Sequence, residues 1–146
     1  MSDAEDAVQA RFTKDSVYEI FDAVERGDKD AVERSISTFA HEDCRFEAAG
    51  SAIEGVYEGW EAIGQFFSDL MDAFELVYEH RTAEWAGDTI MVSYTQRMTS
   101  RTSGIELEYP ACYIARVEAD KVKTAKTVRG AKEAENAIER VRSANA

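Results

Sequence analysis

Few side chains in this sequence have both the type and the setting for chemistry. Glu108 and Arg97 stand first. A strand carboxylate can accept a proton, and a guanidinium's planar fork can hold a ligand carboxylate through two parallel hydrogen bonds. Glu47 is a further carboxylate and Arg129 a further guanidinium on strand-like runs. Cys112 follows Pro110, the single proline, by two residues and brings a thiol. A thiol becomes a nucleophile only beside a base or in a positive field. The two histidines do not supply that base. His41 stands in the acidic run His41-Glu42-Asp43 and His80 between Glu79 and Arg81, so both read as surface residues. Cys112 and Cys44 then read as small packing residues. No His-x-His or His-Glu-x-x-His spacing occurs, and Gly50 to Gly64 form neither a GxGxxG nor a GK[ST] loop. Neither a metal nor a cofactor is expected.

The elements that must position these groups follow from periodicity. Residues 1–15 are polar and are expected to form a flexible segment, with a loose turn around Val8 and Phe12. Ser16-Val17-Tyr18-Glu19 has capping-box spacing, and Val17, Ile20, Phe21 and Val24 recur at helical intervals up to Gly27. Asp28 caps a second helix carrying Val32, Ile36 and Phe39. Residues 43–49 alternate as a short strand, and Gly55 to Gly59 read as a loop. Trp60, Ile63, Phe67, Leu70 and Phe74 then mark a long amphipathic helix. Strand-like runs at 75–85, 89–100, 105–118 and 121–129 are separated by turns at Gly87-Asp88, Ser103-Gly104 and Ala119-Asp120. Pro110 inside a strand suggests a bulge or an edge. Residues 131–146 read as a helical tail with a thin stripe of Ala134, Ile138 and Val141.

At 146 residues the chain fits one domain. Its 29 acidic residues outweigh 17 basic ones, for a formal net charge of −12. A potential of that sign repels phosphate backbones, and no basic cluster overrides it, so nucleic acid is not an expected partner. No run approaches the ~18 continuous apolar residues of a membrane span. The acidic start Met1-Ser2-Asp3-Ala4-Glu5-Asp6 has no leader-like apolar stretch, which makes a reduced, cytoplasmic protein the expectation.

The order helix, Glu25-Arg26-Gly27-Asp28 break, helix, strand, Gly59-Trp60 helix start and Ala86-Gly87-Asp88 turned meander resembles the nuclear-transport-factor-2-like superfamily. Its SnoaL-like members, related to polyketide cyclases and ketosteroid isomerases, are the nearest likeness, over residues 16–130. The resemblance implies an α+β cone: a strongly curved antiparallel sheet with three helices on its concave face. It also implies a ligand site inside the cone and a homodimer through the sheet's outer face.

The catalytic patterns of that superfamily are not matched. Ketosteroid-isomerase roles would fall on Ile20, Ala48 and Cys112, none of which can fill them. The carboxylate positions of limonene epoxide hydrolases fall on Thr99 and Thr127, with Arg97 as the matching arginine. The acid/base Asp of SnoaL-like cyclases has no counterpart between Lys121 and Arg129. If Cys112 points inward, the pocket is expected to be lined by Phe46, Ala48, Phe67, Arg97, Cys112, Thr127 and Arg129, with Glu108 toward one end. The expected ligand is small and hydrophobic or carboxylate-bearing. Two alternatives stay open: a non-catalytic dimerisation or assembly module, and an isomerase, cyclase or hydratase using a non-standard acid/base set drawn from Glu108, Glu47 or Arg97.

Overall fold

Thr13, not Ser16, caps the first helix. In the computed structural model, which describes residues 12–48 and 54–146, helix α1 spans Lys14–Arg26. The Thr13 hydroxyl accepts from the Asp15 N–H, and the Ser16 hydroxyl accepts from the Thr13 N–H. The capping box thus forms one turn upstream of its expected place. Phe12 is buried; the turn expected around Val8 lies outside the described residues. Gly27 at φ 70° ends the helix in a left-handed conformation that a side chain would disfavour. Asp28 then caps α2, Lys29–Phe39, by accepting from the Ala31 N–H at 3.0 Å.

Strand β1 (Ala40–Ala48) and β2 (Gly55–Glu58) pair antiparallel, from Arg45↔Glu58 to Ala48↔Gly55. The stretch read as a loop is therefore a short edge strand. Helix α3 (Trp60–Ala73) leads into β3 (Phe74–Ala86), β4 (Thr89–Ser100), β5 (Glu106–Glu118) and β6 (Lys121–Arg129). The sheet order is β2-β1-β6-β5-β4-β3, with β1 and β6 parallel and the other neighbours antiparallel. Its edges do not close, and it curls around α1, α2 and α3.

Pro110 sits in β5, flanked by strands on both sides, opposite Thr95 of β4 and without a register break. Its carbonyl accepts from the Gly130 N–H at 2.8 Å. In an antiparallel strand a residue's N–H and C=O face the same neighbour. The missing donor therefore faces Gly130, where β6 leaves the sheet, and proline forgoes only the reciprocal bond at the end of the ladder.

The one irregularity that reaches α1 is a bulge in β3 between Glu79 and Thr82, with His80 at φ 55°. It leaves the Tyr78 N–H to donate to Glu25 at 2.7 Å, while Arg81 donates to the Tyr78 carbonyl, to Asp22 and to Glu25. Glu25 and the Arg81 side chain thereby satisfy the Tyr78 backbone groups beside the bulge, and Asp22 helps hold Arg81 in place.

A fourth helix, α4 (Ala131–Ala144), lies where the helical tail was expected, in addition to the three helices of the concave face. It crosses to the convex face and buries Ala134 and Ala137 against Met91, Cys112 and Ile114, with Ile138 and Val141 partly buried beside them. Arg142 grips Glu84 through two hydrogen bonds of 2.6 and 2.7 Å. Asn145 lies so close to Gly87 that a Cβ there would clash with its Oδ1. The tail is a docked element of the outer face and takes no part in the cavity.

Candidate functional site

The concave face encloses a cavity of about 90 Å³. Helix α1 contributes Val17, Ile20 and Phe21, α2 contributes Ser35, Ile36 and Phe39, and α3 contributes Ile63, Phe66, Phe67 and Leu70. These positions recur every three or four residues, so one stripe per helix faces the same space. The sheet closes the other side with the i, i+2 rows Leu76 and Tyr78, Tyr94, Gln96 and Met98, Tyr109, Ala111 and Tyr113, and Ala125, Thr127 and Arg129.

Two aromatic groups brace the wall. Phe21 stacks on Tyr78 with centroids 4.1 Å apart and meets the edges of Tyr94 and Tyr113 at 5.0 and 6.3 Å. Phe46 packs edge-on against Phe66 at 5.1 Å and stacks on Phe67 at 5.9 Å. Offset and edge-to-face contacts of this kind add about 0.5–1.5 kcal/mol each beyond area burial.

The polar complement is small and specific. Among the described residues lining the cavity, Arg129 is the one charged residue, and none is Asp, Glu, His or Lys. Arg129 is exposed yet lines the space, so it marks the mouth, where its guanidinium lies 4.3 Å from the Tyr109 ring centroid. The Tyr109 hydroxyl donates to the Met98 sulfur at 3.2 Å. Among the described residues, no protein hydrogen bond engages the hydroxyls of Tyr78, Tyr94 or Tyr113. All three tyrosines line the cavity, where a ligand or water can accept from a phenol hydroxyl. Burial pushes all four phenols above the ordinary tyrosine range, and at Tyr94 the neighbouring Tyr78, Tyr109 and Tyr113 push further in the same direction. They are hydrogen-bond donors, not bases.

The structure divides the residues expected in the pocket. Phe46, Phe67, Thr127 and Arg129 line the cavity. Ala48 is buried in the same core but does not line the cavity. Arg97 and Cys112 lie on the opposite face, and this corrects the expectation for both. Arg97 donates to Glu79 at 2.7 Å and to Glu106 at 3.0 Å, with its Nε 3.9 Å from Glu108. Glu79 and Glu106 raise its pKa above the ordinary arginine value. Glu108 therefore also belongs to the outer face, as does exposed Glu47, which pairs with Lys126 and Val56. Cys112 is wholly buried under α4, where burial pushes its thiol up to about 11; Cys44, in the inner core, is pushed equally. His41 donates from Nε2 to the Glu118 carbonyl at 2.7 Å, and exposed His80 lies 3.7 Å from Glu79. No His/Cys/Asp/Glu cluster among the described residues has the make-up of a metal site.

The physical reason for the inversion is plain in the register. Val92, Tyr113 and Thr127 are Cα partners across β4, β5 and β6, and Ser93, Cys112 and Val128 form the adjacent row on the other face. Cys112 and Thr127 can never share a face. The sequence carried the signal: Leu107, Tyr109, Ala111, Tyr113 and Ala115 alternate with Glu106, Glu108 and Arg116. Anchoring the strand on Cys112 overrode it. Tyr94, Gln96, Tyr109 and Tyr113 were missed for the same reason, and Tyr78 because β3 was given no register.

The SnoaL-like domain profile matches residues 6–125, and the chain belongs to that family. Among curated proteins none matches the sequence. Solved structures share the fold. A candidate polyketide cyclase of Xanthomonas campestris is 16% identical with a TM-score of 0.66, over 78% of this chain and 87% of that one. A ketosteroid-isomerase-like protein of Catenulispora acidiphila, solved with trimethylamine, is 14% identical with a TM-score of 0.68, over 84% and 91%. A nuclear-transport-factor-2-like protein of unknown function from Burkholderia pseudomallei is 18% identical with a TM-score of 0.67, over 86% and 94%. No helix of the described residues is long and apolar enough to cross a membrane.

Proposed function

We propose that this SnoaL-like domain binds a small, mostly apolar ligand inside its cone. The observation that carries the reading is the cavity lining: aliphatic and aromatic side chains from three helices and the sheet, a few neutral polar groups, and one arginine at the mouth. Ligand sites are commonly apolar clefts with a small number of placed polar groups. A ligand bearing a carboxylate would orient it toward Arg129 and keep its apolar body inside. Acid/base chemistry of the usual kind has little support, because Glu47, Arg97 and Glu108 all lie on the far side of the sheet.

An assembly module joined through the outer face has less support than ligand binding. Helix α4 covers one part of that face, and Arg97 with its three carboxylates occupies another. Two copies stacked there would bring like charges together.

The cavity is smaller than the ~150 Å³ apolar cavity that takes up benzene, so a ring-sized ligand requires a side chain to turn aside. Benzene titrated into the protein and followed by ligand-observed NMR tests the reading. Saturable uptake is expected, and Ala111→Leu, which fills the space from β5, is expected to abolish it. Absence of uptake, or uptake indifferent to Ala111→Leu, would return the assembly module to first place.

A further inference from the structure

The wall that Phe21 and Tyr78 form is held from behind by a side chain that does not itself line the cavity. Strand β3 is an edge of the sheet, so alternate backbone groups along it have no strand to pair with. At Tyr78 both groups are met from the α1 side. Its N–H donates to Glu25 at 2.7 Å, and its carbonyl accepts from Arg81 Nε at 2.9 Å. The other two guanidinium nitrogens of Arg81 donate to Asp22 at 2.7 Å and to Glu25 at 3.2 Å. The same guanidinium lies 5.5 Å from the Phe21 ring centroid and 5.4 Å from that of Tyr18. Its side chain is only 16% exposed, against 42% for Arg97 on the outer face. Phe21 and Glu25 are one helical turn apart, so the face of α1 that carries the ring also carries the carboxylate. Arg81 thereby ties the backbone of one wall residue to the ring of the other.

We infer that Arg81 is a positioning residue that sets the size of ligand the cone admits, by locking the stacked Phe21–Tyr78 pair against outward movement. The inference rests on the apolar-ligand reading and adds a selectivity to it. A cavity of about 90 Å³ must yield somewhere to take up one ring, and the lock directs that movement away from α1 and β3. A fused pair of rings needs more room than one displaced side chain clears, so the locked cavity admits single rings and excludes bicyclic ones. A guanidinium suits this task because its planar fork meets three acceptors in fixed directions while its flat face lies on an aromatic ring. An ammonium in the same place makes a point contact and leaves part of that network unmet.

The test measures benzene and naphthalene binding by ligand-observed NMR titration on the wild-type chain, Arg81→Met, Arg81→Lys, Glu25→Ala and Ala137→Glu. The wild type is expected to bind naphthalene at least about tenfold more weakly than benzene. Arg81→Met keeps the apolar stem and loses the fork, and should raise the naphthalene-to-benzene affinity ratio about tenfold. Glu25→Ala breaks the same lock from α1 and should move the ratio in the same direction; it carries the test if Arg81→Met does not fold. Arg81→Lys should fall between the wild type and Arg81→Met. Ala137→Glu loosens the outer face and should lower the urea midpoint without moving the ratio, which separates positioning from a general loss of stability. A ratio within about twofold of wild type in both Arg81→Met and Glu25→Ala, or one that rises as far in Ala137→Glu, would overturn the inference. Benzene uptake in that case leaves apolar binding intact. Uptake of neither ligand by any of these chains would overturn the apolar-ligand reading and the inference with it.

Discussion

The two faces of the sheet are built from the same strands and carry opposite chemistry. On the concave face β3, β4 and β5 present Tyr78, Tyr94, Gln96, Tyr109 and Tyr113, neutral groups bordering an enclosed space. One residue away on each strand, the convex face presents Glu79, Arg97 and Glu108, a guanidinium between carboxylates, and then Cys112 under a helix. The contrast teaches how a chain of net charge −12 keeps a cavity free of acids. A period of two puts Glu79, Glu106 and Glu108 on the side where water or arginine can meet them, since a buried charge without a partner is far costlier than a buried hydroxyl.

The largest expected effect is on the inner face. Phe21→Ala removes the ring stacked on Tyr78 at 4.1 Å and enlarges a cavity already present. We expect a loss of about 3–5 kcal/mol in urea unfolding together with tighter uptake of bulkier ring ligands. A loss below about 1 kcal/mol would mean that the aromatic wall collapses freely and is no rigid site.

A smaller effect, about 2–3 kcal/mol, is expected for Ala137→Glu, which drives a carboxylate into the apolar contact between α4 and the sheet. Its value lies in separating the faces. Cys112 should become open to thiol reagents as α4 loosens, while Cys44, buried in the inner core, stays protected. Affinity for cavity ligands should hold within about twofold of wild type. Equal exposure of both cysteines would show that the two faces unfold as one unit.

The smallest effect belongs to Arg97→Met. Removing the guanidinium leaves Glu79, Glu106 and Glu108 facing one another on a half-exposed surface, so the urea midpoint should fall modestly and recover in part at about 0.5 M NaCl. Ligand affinity should not change. A marked loss of affinity would contradict the placement of Arg97 outside the site.

Most elements were legible along the chain because their signals are local. Gly27-Asp28 ends one helix and caps the next, and the glycine-marked turns bracket the long strands. The cap at Thr13 was missed because Ser16 has the same chemistry and a Glu three residues on; the structure uses Ser16 as the returning member of the box. The edge strand Gly55–Glu58 is four residues long, with Val56 exposed and Tyr57 only partly buried, too short for alternation to declare itself. The site was legible on β6, where Thr127 and Arg129 were placed inward, and illegible on β4 and β5, where one borrowed anchor at Cys112 turned two strands over.

By itself the sequence determined the order of helices and strands, their breaks and the family they belong to, because capping, turn geometry and periodicity act over a few residues. Which of two alternating rows became the cavity wall was decided only in three dimensions. The docking of α4 gave Cys112, Met91 and Ile114 an apolar cover on the outside, and the approach of Phe21 gave the tyrosines theirs within. Both rows of β5 hold apolar residues, and a strand cannot choose between them until its partners arrive.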